Sequence, residues 1–163
     1  MAYEGSYLWR LRQKIGSELV IVPAAQILVI DSEDRLLLIR RSDTGRWGLP
    51  AGSAEPHSTF ALTAVRELEE ETGLRAEVTD LEPFACVSNP ERHAVTYPNG
   101  DKVHAFALCF AVRTWTGSLR PLDGEALELR FFTDLPDQRH DQEVDETLRL
   151  WHAYRRTGRF QVA

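Results

Sequence analysis

The sequence is poor in the features that mark secreted, membrane and nucleic-acid-binding proteins. Its two cysteines, Cys86 and Cys109, lie far apart and form no C-x-x-C pair, which favours small buried thiols in a reducing compartment over a disulfide. The longest apolar region, residues 19–30, is too short to span a bilayer and contains Pro23 and Gln26. The N-terminal residues lack the apolar core of a signal peptide. These absences predict a cytoplasmic protein without a membrane segment.

Positive charge is also scarce. The formal net charge is −6 over 163 residues, which argues against binding to long nucleic acid, because such proteins cluster Lys and Arg against phosphates. A small anionic substrate remains compatible if a cation mediates its binding. The five histidines show no metal-ligand spacing, and the sequence has no Ser-His-Asp order, phosphate loop or zinc pattern. Most familiar catalytic arrangements are thereby excluded.

What is present predicts one mixed α/β domain over residues 1–163, because 43% apolar and 27% charged residues are ordinary for a globular protein. Residues 1–16 form an N-terminal helical extension, in which Leu8, Leu11 and Ile15 have helical spacing. Two strand segments over residues 18–31 are followed by a turn at "SEDR" and a returning hairpin strand, "LLLIRRS". An Asn99-Gly100 turn precedes a long strand, "ALELRFF" is another strand, and a C-terminal helix begins near residue 141. The hairpins require some antiparallel pairing, so the sheet is expected to be mixed.

The most unusual segment is "RELEEETGL", residues 66–74, in which four of nine residues are glutamates. On a helix, Phe60, Ala61, Ala64, Leu68 and Thr72 form an apolar stripe. The carboxylates of Glu67, Glu70 and Glu71 form a second stripe at its margin. A hard divalent cation such as Mg²⁺ or Mn²⁺ is a natural partner for such a group. The alternative is a solvated acidic face in which Arg66 and Glu70 form an i,i+4 pair.

The surrounding residues favour the cation. Residues 52–74, "GSAEPHSTFALTAVRELEEETGL", resemble the signature of the Nudix hydrolases, G-x5-E-x7-R-E-U-x-E-E-x-G-U with U a bulky aliphatic residue. The matching residues are Gly52, Arg66, Glu67, Leu68, Glu70, Glu71, Gly73 and Leu74, all at the family spacing, and "WGLPAG" is typical of the lead-in. The resemblance implies a Nudix-type α/β/α sandwich, with the motif helix and a C-terminal helix packed on a mixed sheet.

Two positions depart from the family pattern. Ser58 stands where the family has a glutamate that helps to hold the motif arginine and can join metal binding, so the number of metal ions and the anchoring of Arg66 are open. Glu55 lies three residues upstream and is either a substitute for that glutamate or an ordinary exposed residue. Ala51 replaces a frequent glycine and allows the backbone less freedom.

The resemblance also implies roles for individual residues. Glu70 and Glu71 are metal ligands, Glu67 is a metal ligand or the base for the attacking water, and the carbonyl of Gly52 is a further candidate ligand. Arg66 orients a motif carboxylate. Many proteins of the family place one more acid after the motif helix, for which Glu125 is preferred over Glu128 because it lies in the loop before a strand.

Other residues have weaker claims. Arg40, Arg41 and Arg46 could contact phosphates but are more often exposed. A group of aromatic residues could stack on a base, although a core position is favoured for each: Trp47, Phe84, Tyr97 and Phe132.

Three functions remain in competition. The first is Mg²⁺-dependent hydrolysis of a pyrophosphate bond in a nucleoside diphosphate linked to another group, by attack of water on phosphorus. The second is a catalytically weak nucleotide-binding or regulatory module with the same fold. The third is an acidic structural helix without a site. The substrate is not readable from the sequence, and a homodimer is compatible with the resemblance because members of the family are often dimers.

Overall fold

The computed structural model describes residues 4–97, 99–122, 124, 126–136 and 140–163. Its helices are α1 (Tyr7–Ile15), α2 (Phe60–Thr72), α3 (Pro90–His93) and α4 (Gln142–Thr157), with a 3₁₀ turn at Val78–Asp80. Its strands are β1 (Val20–Val29), β2 (Leu36–Arg41), β3 (Trp47–Gly48), β4 (Ala51–Ser53), β5 (Leu74–Arg75), β6 (Glu82–Val87), β7 (Ala94–Thr96), β8 (Lys102–Val112), β9 (Thr116–Gly117), β10 (Ala126–Phe132) and β11 (Gln161–Val162).

The main sheet is mixed, as predicted. Its strand order is β11-β6-β8-β1-β4, and β7 pairs with β8 beside this path. The long central strands β1 and β8 run parallel, whereas β4 is antiparallel to β1 and β6 is antiparallel to β8. A second sheet, β10-β2-β3, is antiparallel. The parallel central pair therefore requires the intervening helices to cross over the sheet faces.

Each face of the main sheet carries one helix. Side chains alternate along β1, so Ala24 and Leu28 join a core with Val144 and Trp151 of α4. Ala25 and Ile27 point to the opposite face, in a second core with α2. The α/β/α sandwich expected from the sequence is thereby confirmed.

The predicted first hairpin is wrong. The two strand segments over residues 18–31 form the single strand β1. Just after it, one antiparallel bridge between Ile30 and Leu36 and a backbone hydrogen bond from Asp31 to Arg35 begin a hairpin that β2 does not continue. Beyond that bridge β2 joins the second sheet, where its four residues 36–39 are all buried and contribute to both cores. The turn between them is fixed by Asp31, whose carboxylate accepts hydrogen bonds from the backbone N–H groups of Glu33 and Arg35. A continuous apolar run is buried on both faces, so its pattern does not identify its partner strand.

Several local predictions are confirmed. Helix α1 ends at Gly16, the Asn99-Gly100 turn lies between β7 and β8, and α4 has Val144 and Trp151 on its buried face. Both cysteines are free, and burial raises the pKa of the Cys109 thiol to about 12. Trp47 and Phe84 belong to the core, as does the partly buried Phe132, whereas Tyr97 is only half-buried.

None of the helices in the described part of the chain combines the length and the apolar character needed to cross a membrane.

Candidate metal and catalytic site

Helix α2 begins and ends where its sequence predicts. The hydroxyl of Thr59 accepts a hydrogen bond from the N–H of Leu62 at 3.1 Å, so Thr59 is the N-cap. Gly73 has a left-handed conformation (φ 74°), and its N–H donates to the carbonyl of Glu69. A side chain at Gly73 would also strike the carbonyl of Ser118, because a Cβ there would lie 2.7 Å from that oxygen. The glycine thus both ends the helix and allows the chain to pack against the β9 region.

The buried face of α2 differs from the predicted stripe. Phe60 is 40% exposed, whereas Glu67 and Glu71 are 8% and 2% exposed. The helix turns two of its carboxylates toward β4 beside Ala64 and Leu68, because β4 brings backbone groups to that face that can hold them. Two of the three acids therefore lie within the helix–sheet interface and not merely at its margin.

Arg66 connects the motif helix with the motif loop, residues 53–58. Its guanidinium donates to Glu67 Oε1 and Glu70 Oε2, both at 2.6 Å, and to the carbonyl of Ser53 at 3.0 Å. These contacts place two motif carboxylates on either side of one cation. Since Glu70 is 42% exposed and Glu67 is mostly buried, the pair spans the boundary between interior and solvent.

Strand β4 contacts the carboxylates of Glu67 and Glu71. The carboxylate of Glu67 lies directly over Gly52, where an added Cβ would be 2.0 Å from its Cδ. Glu71 Oε2 accepts a hydrogen bond from the N–H of Ala51 at 2.9 Å. Alanine is compatible with this position because it lies in a regular strand paired with Gln26. Only a residue without a side chain fits at position 52, so the glycine forms a cradle for Glu67.

These donors suit a hard cation. Glu67 and Glu71 contact β4, and Glu70 shares Arg66 with Glu67. Carboxylate oxygens are the ligands that Mg²⁺ and Mn²⁺ prefer. Among the described residues, no three acidic, histidine or cysteine side chains already lie close enough together to hold one ion. Binding therefore requires carboxylate oxygens to exchange their contacts with Arg66 for contacts with a cation.

A second group of charged residues lies beside the motif, at the end of β2. Arg41 donates to both carboxylate oxygens of Asp43, at 3.1 and 2.9 Å, and its side chain packs on Gly48. Burial alone would lower the pKa of Arg41, but the pairing with Asp43 and the negative charge of Glu71 raise it overall. The guanidinium therefore stays charged, with a motif carboxylate among its neighbours. Sequence analysis had not distinguished it from Arg40, which pairs with Glu128 on the surface at 3.4 Å.

The first turns of α4 bring further acids that the sequence analysis missed. Glu146 is 7% exposed and contacts the ring of His93, itself 5% exposed, at 3.1 Å. Burial raises the pKa of Glu143, and the carboxylates of Asp141 and Glu146 raise it further, against the charges of His93 and Arg41. The helical spacing of Glu143 and Glu146 beside an apolar stripe was the available signal, and it repeats the pattern of α2.

The remaining predicted acids divide into three cases. Glu125 lies outside the described residues, and Glu128 is a surface residue paired with Arg40. Glu55 does not replace the missing motif glutamate: both of its carboxylate oxygens accept hydrogen bonds from the N–H of Tyr7 in α1. Ser58 itself is within 3.1 Å of the hydroxyl of Thr63 at the start of α2.

Comparison with known proteins settles the family. The NUDIX domain model matches residues 20–153, most of the chain. This chain belongs to the Nudix family. The predicted resemblance is therefore confirmed, and the pyrophosphohydrolases among its Nudix relatives support a hydrolase.

Individual Nudix relatives differ in their named substrates. The chain is 32% identical over 120 residues to an ADP-ribose pyrophosphatase of Methanocaldococcus jannaschii, covering 71% of this chain and 65% of that protein. It is 31% identical over 128 residues to a CMP-5'-(N-acetyl-N-hydroxy-3-aminopropyl)phosphonate hydrolase of Streptomyces rubellomurinus, covering 72% and 60% of the two proteins. A MutT-like protein of Streptomyces ambofaciens is 46% identical over 54 residues, covering 33% of this chain and 35% of that protein. The matches thus span between about a third and two thirds of these relatives.

Solved Nudix structures share the fold. A MutT Nudix hydrolase from Burkholderia pseudomallei superposes with a TM-score of 0.60 at 24% identity, covering 80% of this chain and 98% of that one. An ADP-ribose pyrophosphatase from Streptococcus suis has a TM-score of 0.60 at 21% identity, covering 87% and 98%. At such identities the likeness is one of fold alone.

Proposed function

We propose that this protein is a Nudix hydrolase that uses Mg²⁺, or Mn²⁺, to cleave a pyrophosphate bond in a nucleoside diphosphate linked to another group. The observation that carries the proposal is the burial of Glu67 and Glu71 against β4, beside Arg66, which pairs with both Glu67 and Glu70. A surface acidic helix would not bury one carboxylate, Glu67, over a glycine and a second, Glu71, on the backbone N–H of Ala51. That burial is the argument against a purely structural acidic helix.

The chain's residues then have separate tasks. Glu70 and Glu71, with Glu67 and the carbonyl of Gly52, would hold the cation, which when bound lowers the pKa of water and offsets charge on the phosphate oxygens. Glu67 is the candidate base because its carboxylate is held in one place by Arg66 and by the backbone of Gly52. Arg66 keeps Glu67 and Glu70 apart and anchored to the motif loop. The further acid expected at Glu125 stays a prediction.

Arg41, which has Glu71 of the motif helix and Glu143 of the first turn of α4 among its charged neighbours, suits the rest of the substrate. A charged guanidinium near Glu71 can donate to a phosphate whose other oxygens would face the cation that Glu71 would hold. The half-buried Tyr97 and the partly buried Glu143 lie near the same arginine, since their charges and that of Arg41 influence one another. We infer that the nucleoside part binds on this side, and that the protein acts on small nucleotides in the cytoplasm.

The proposal is tested by a substrate screen. Purified protein with Mg²⁺ or Mn²⁺ is given ADP-ribose, 8-oxo-dGTP, CMP-linked phosphonates and nucleotide sugars, and nucleoside monophosphate and phosphate products are measured. We expect release of a nucleoside monophosphate from at least one of them. Glu70→Gln and Glu71→Gln are expected to remain folded and to lose activity by about 100-fold or more, because each removes a metal-holding charge.

The matched control is Glu69→Gln. Glu69 lies on the same turn of α2 but pairs with Arg75 at 2.6 Å on the exposed side, so this variant is expected to keep full activity. Equal activity in all three variants would exclude the metal-holding role. Nucleotide binding without turnover under either cation would instead favour the alternative, a binding module, which the replacement of the motif glutamate by Ser58 motivates.

A further inference from the structure

Helix α1 is joined to the motif loop through Glu55. Both carboxylate oxygens of Glu55 accept hydrogen bonds from the N–H of Tyr7, at 2.9 and 3.0 Å, in the first turn of α1. Arg10 of the same helix is 3.9 Å from this carboxylate. A negative charge at a helix N-terminus is stabilised by unpaired N–H groups and by the helix dipole. The contact therefore ties the loop to a helix that precedes the matched family region.

The other end of α1 is anchored to the β7–β8 hairpin. Arg12, only 8% exposed, donates to the carbonyls of Lys102 and Glu18 and lies 3.6 Å from the carboxylate of Asp101. A buried guanidinium with backbone acceptors fixes a helix more firmly than a surface ion pair does. Helix α1 thus bridges the hairpin and the motif loop.

The motif loop leaves the main sheet after Ala54, whose N–H donates to the carbonyl of Pro23 at 2.9 Å. Ser58 replaces the longer glutamate, and its hydroxyl contacts Thr63 instead of any residue of the Arg66 cluster. Arg66 contacts the loop at its start, through the carbonyl of Ser53. Between Ser53 and Ser58, the side chain of Glu55 joins the loop to α1. Its carbonyl also accepts a hydrogen bond from the N–H of Ser58 at 3.0 Å.

We propose that Glu55 is a positioning residue. Strand β4 holds Ser53 and Ala54 against β1. By joining the following residues to α1, Glu55 holds the end of β4 in the geometry in which the carbonyl of Ser53 meets Arg66, the arginine that pairs with Glu67 and Glu70. This inference rests on the proposed function. Coupling is reciprocal, so a cation bound at the motif carboxylates also stabilises the contact between Glu55 and Tyr7.

The test measures cation affinity and amide exchange and needs no substrate. Mn²⁺ binding is followed by calorimetry, and hydrogen exchange of the Tyr7 amide is followed by NMR, with and without Mn²⁺. Glu55→Ala is expected to expose the Tyr7 amide to exchange and to raise the Kd for Mn²⁺ about fivefold. In the wild-type protein, Mn²⁺ is expected to slow exchange at Tyr7.

Two further variants separate positioning from direct ligation. Glu55→Gln keeps an oxygen acceptor for the Tyr7 N–H, so it is expected to bind Mn²⁺ within about twofold of wild type, whereas loss of a true ligand costs far more. Arg12→Met releases α1 from the hairpin without touching the loop and is expected to weaken Mn²⁺ binding about as much as Glu55→Ala. Arg10→Ala removes the long ion pair with Glu55 and an exposed contact with the carbonyl of Gly5, but keeps the hydrogen bonds between Glu55 and Tyr7. It serves as the control, with unchanged affinity.

The outcomes are distinct. A Glu55→Gln variant that loses Mn²⁺ binding as severely as Glu55→Ala would overturn positioning in favour of ligation. Unchanged Mn²⁺ affinity in Glu55→Ala, with the Tyr7 amide exposed, would overturn the inference while leaving the proposed function standing. A wild-type protein that binds no Mn²⁺ and hydrolyses none of the compounds would overturn both.

Discussion

Helices α2 and α4 both bring glutamates into the protein, but they hold them in different ways. On α2, Glu71 accepts a hydrogen bond from a backbone N–H of β4, and Glu67 pairs with Arg66. Arg66 also pairs with the half-exposed Glu70. On α4, the buried carboxylate of Glu146 is hydrogen-bonded to the buried ring of His93. An acid with its own buried hydrogen-bond partner stabilises the fold. Two acids that share one arginine, as Glu67 and Glu70 do, can exchange that contact for one with a cation. The comparison supports the proposal that the cation binds at α2 and that α4 serves packing and the substrate side.

Gly52→Ala gives the largest expected effect and acts only on the α2 side of this comparison. The new Cβ would lie 2.0 Å from the carboxylate of Glu67, so that flexible side chain must move while the backbone stays. We expect hydrolysis to fall by about 100-fold, with Tm lowered by only a few degrees.

The matched control for Gly52→Ala is Ala51→Gly. It keeps the N–H that Glu71 accepts, so we expect near-normal activity. Steady-state kinetics and thermal unfolding measure both variants. An active Gly52→Ala enzyme would show that the position of Glu67 is unimportant for hydrolysis. The glutamates of α2 would then have no functional difference from those of α4.

Arg41→Met is expected to have a smaller effect, because Arg41 lies between the two regions. The change removes the positive charge that faces Glu71 but leaves the motif residues in place. We expect KM for the nucleotide to rise about tenfold with kcat changed far less, as for a phosphate contact made in both ground and transition states.

Arg40→Met is the control for Arg41→Met, since Arg40 pairs with Glu128 on the surface, and it is expected to leave KM unchanged. A fall in kcat without a change in KM for Arg41→Met would instead place Arg41 among the groups that act on the transition state.

The α2 side was predictable because its residues are close in sequence. Helical periodicity alone places Glu67, Glu70 and Glu71 on neighbouring faces of one helix, and the motif adds Gly52 and Arg66. What the sequence did not reveal was how deeply Glu67 and Glu71 are buried, because that depends on β4 lying against the helix.

The α4 side was not predictable, because its residues are far apart in sequence. Arg41, His93 and Glu143 come from three distant elements, and they come near one another only in the folded chain, where β2 belongs to the second sheet. The partner of an apolar strand is set by tertiary packing, which a single sequence does not encode locally. Glu55 is a further case, since its partner Tyr7 is 48 residues away.

The smallest expected effect is on stability and comes from Glu143→Gln. Burial raises the pKa of Glu143 above its ordinary value of 4.5, and nearby Asp141 and Glu146 raise it further. The folded protein therefore favours the protonated acid and is penalised when the buried group ionises. Stability that the protonated acid contributes is fully present below the ordinary pKa and is lost as pH rises through the raised pKa of the folded state.

Glutamine mimics the neutral acid and does not ionise, so Glu143→Gln is expected to be more stable than the wild type at neutral pH. The gain is expected to be a few degrees in Tm, given that about 1 kcal/mol shifts Tm by ~2–4 °C in a domain of this size. It should vanish below pH 4.5, where both proteins carry a neutral group. Glu128→Gln, on the surface, should show no such pH dependence in parallel unfolding curves. A Glu143→Gln protein less stable than wild type at neutral pH would contradict this prediction. It would mean that the ionised Glu143 has a stabilising partner, as Glu146 has in His93.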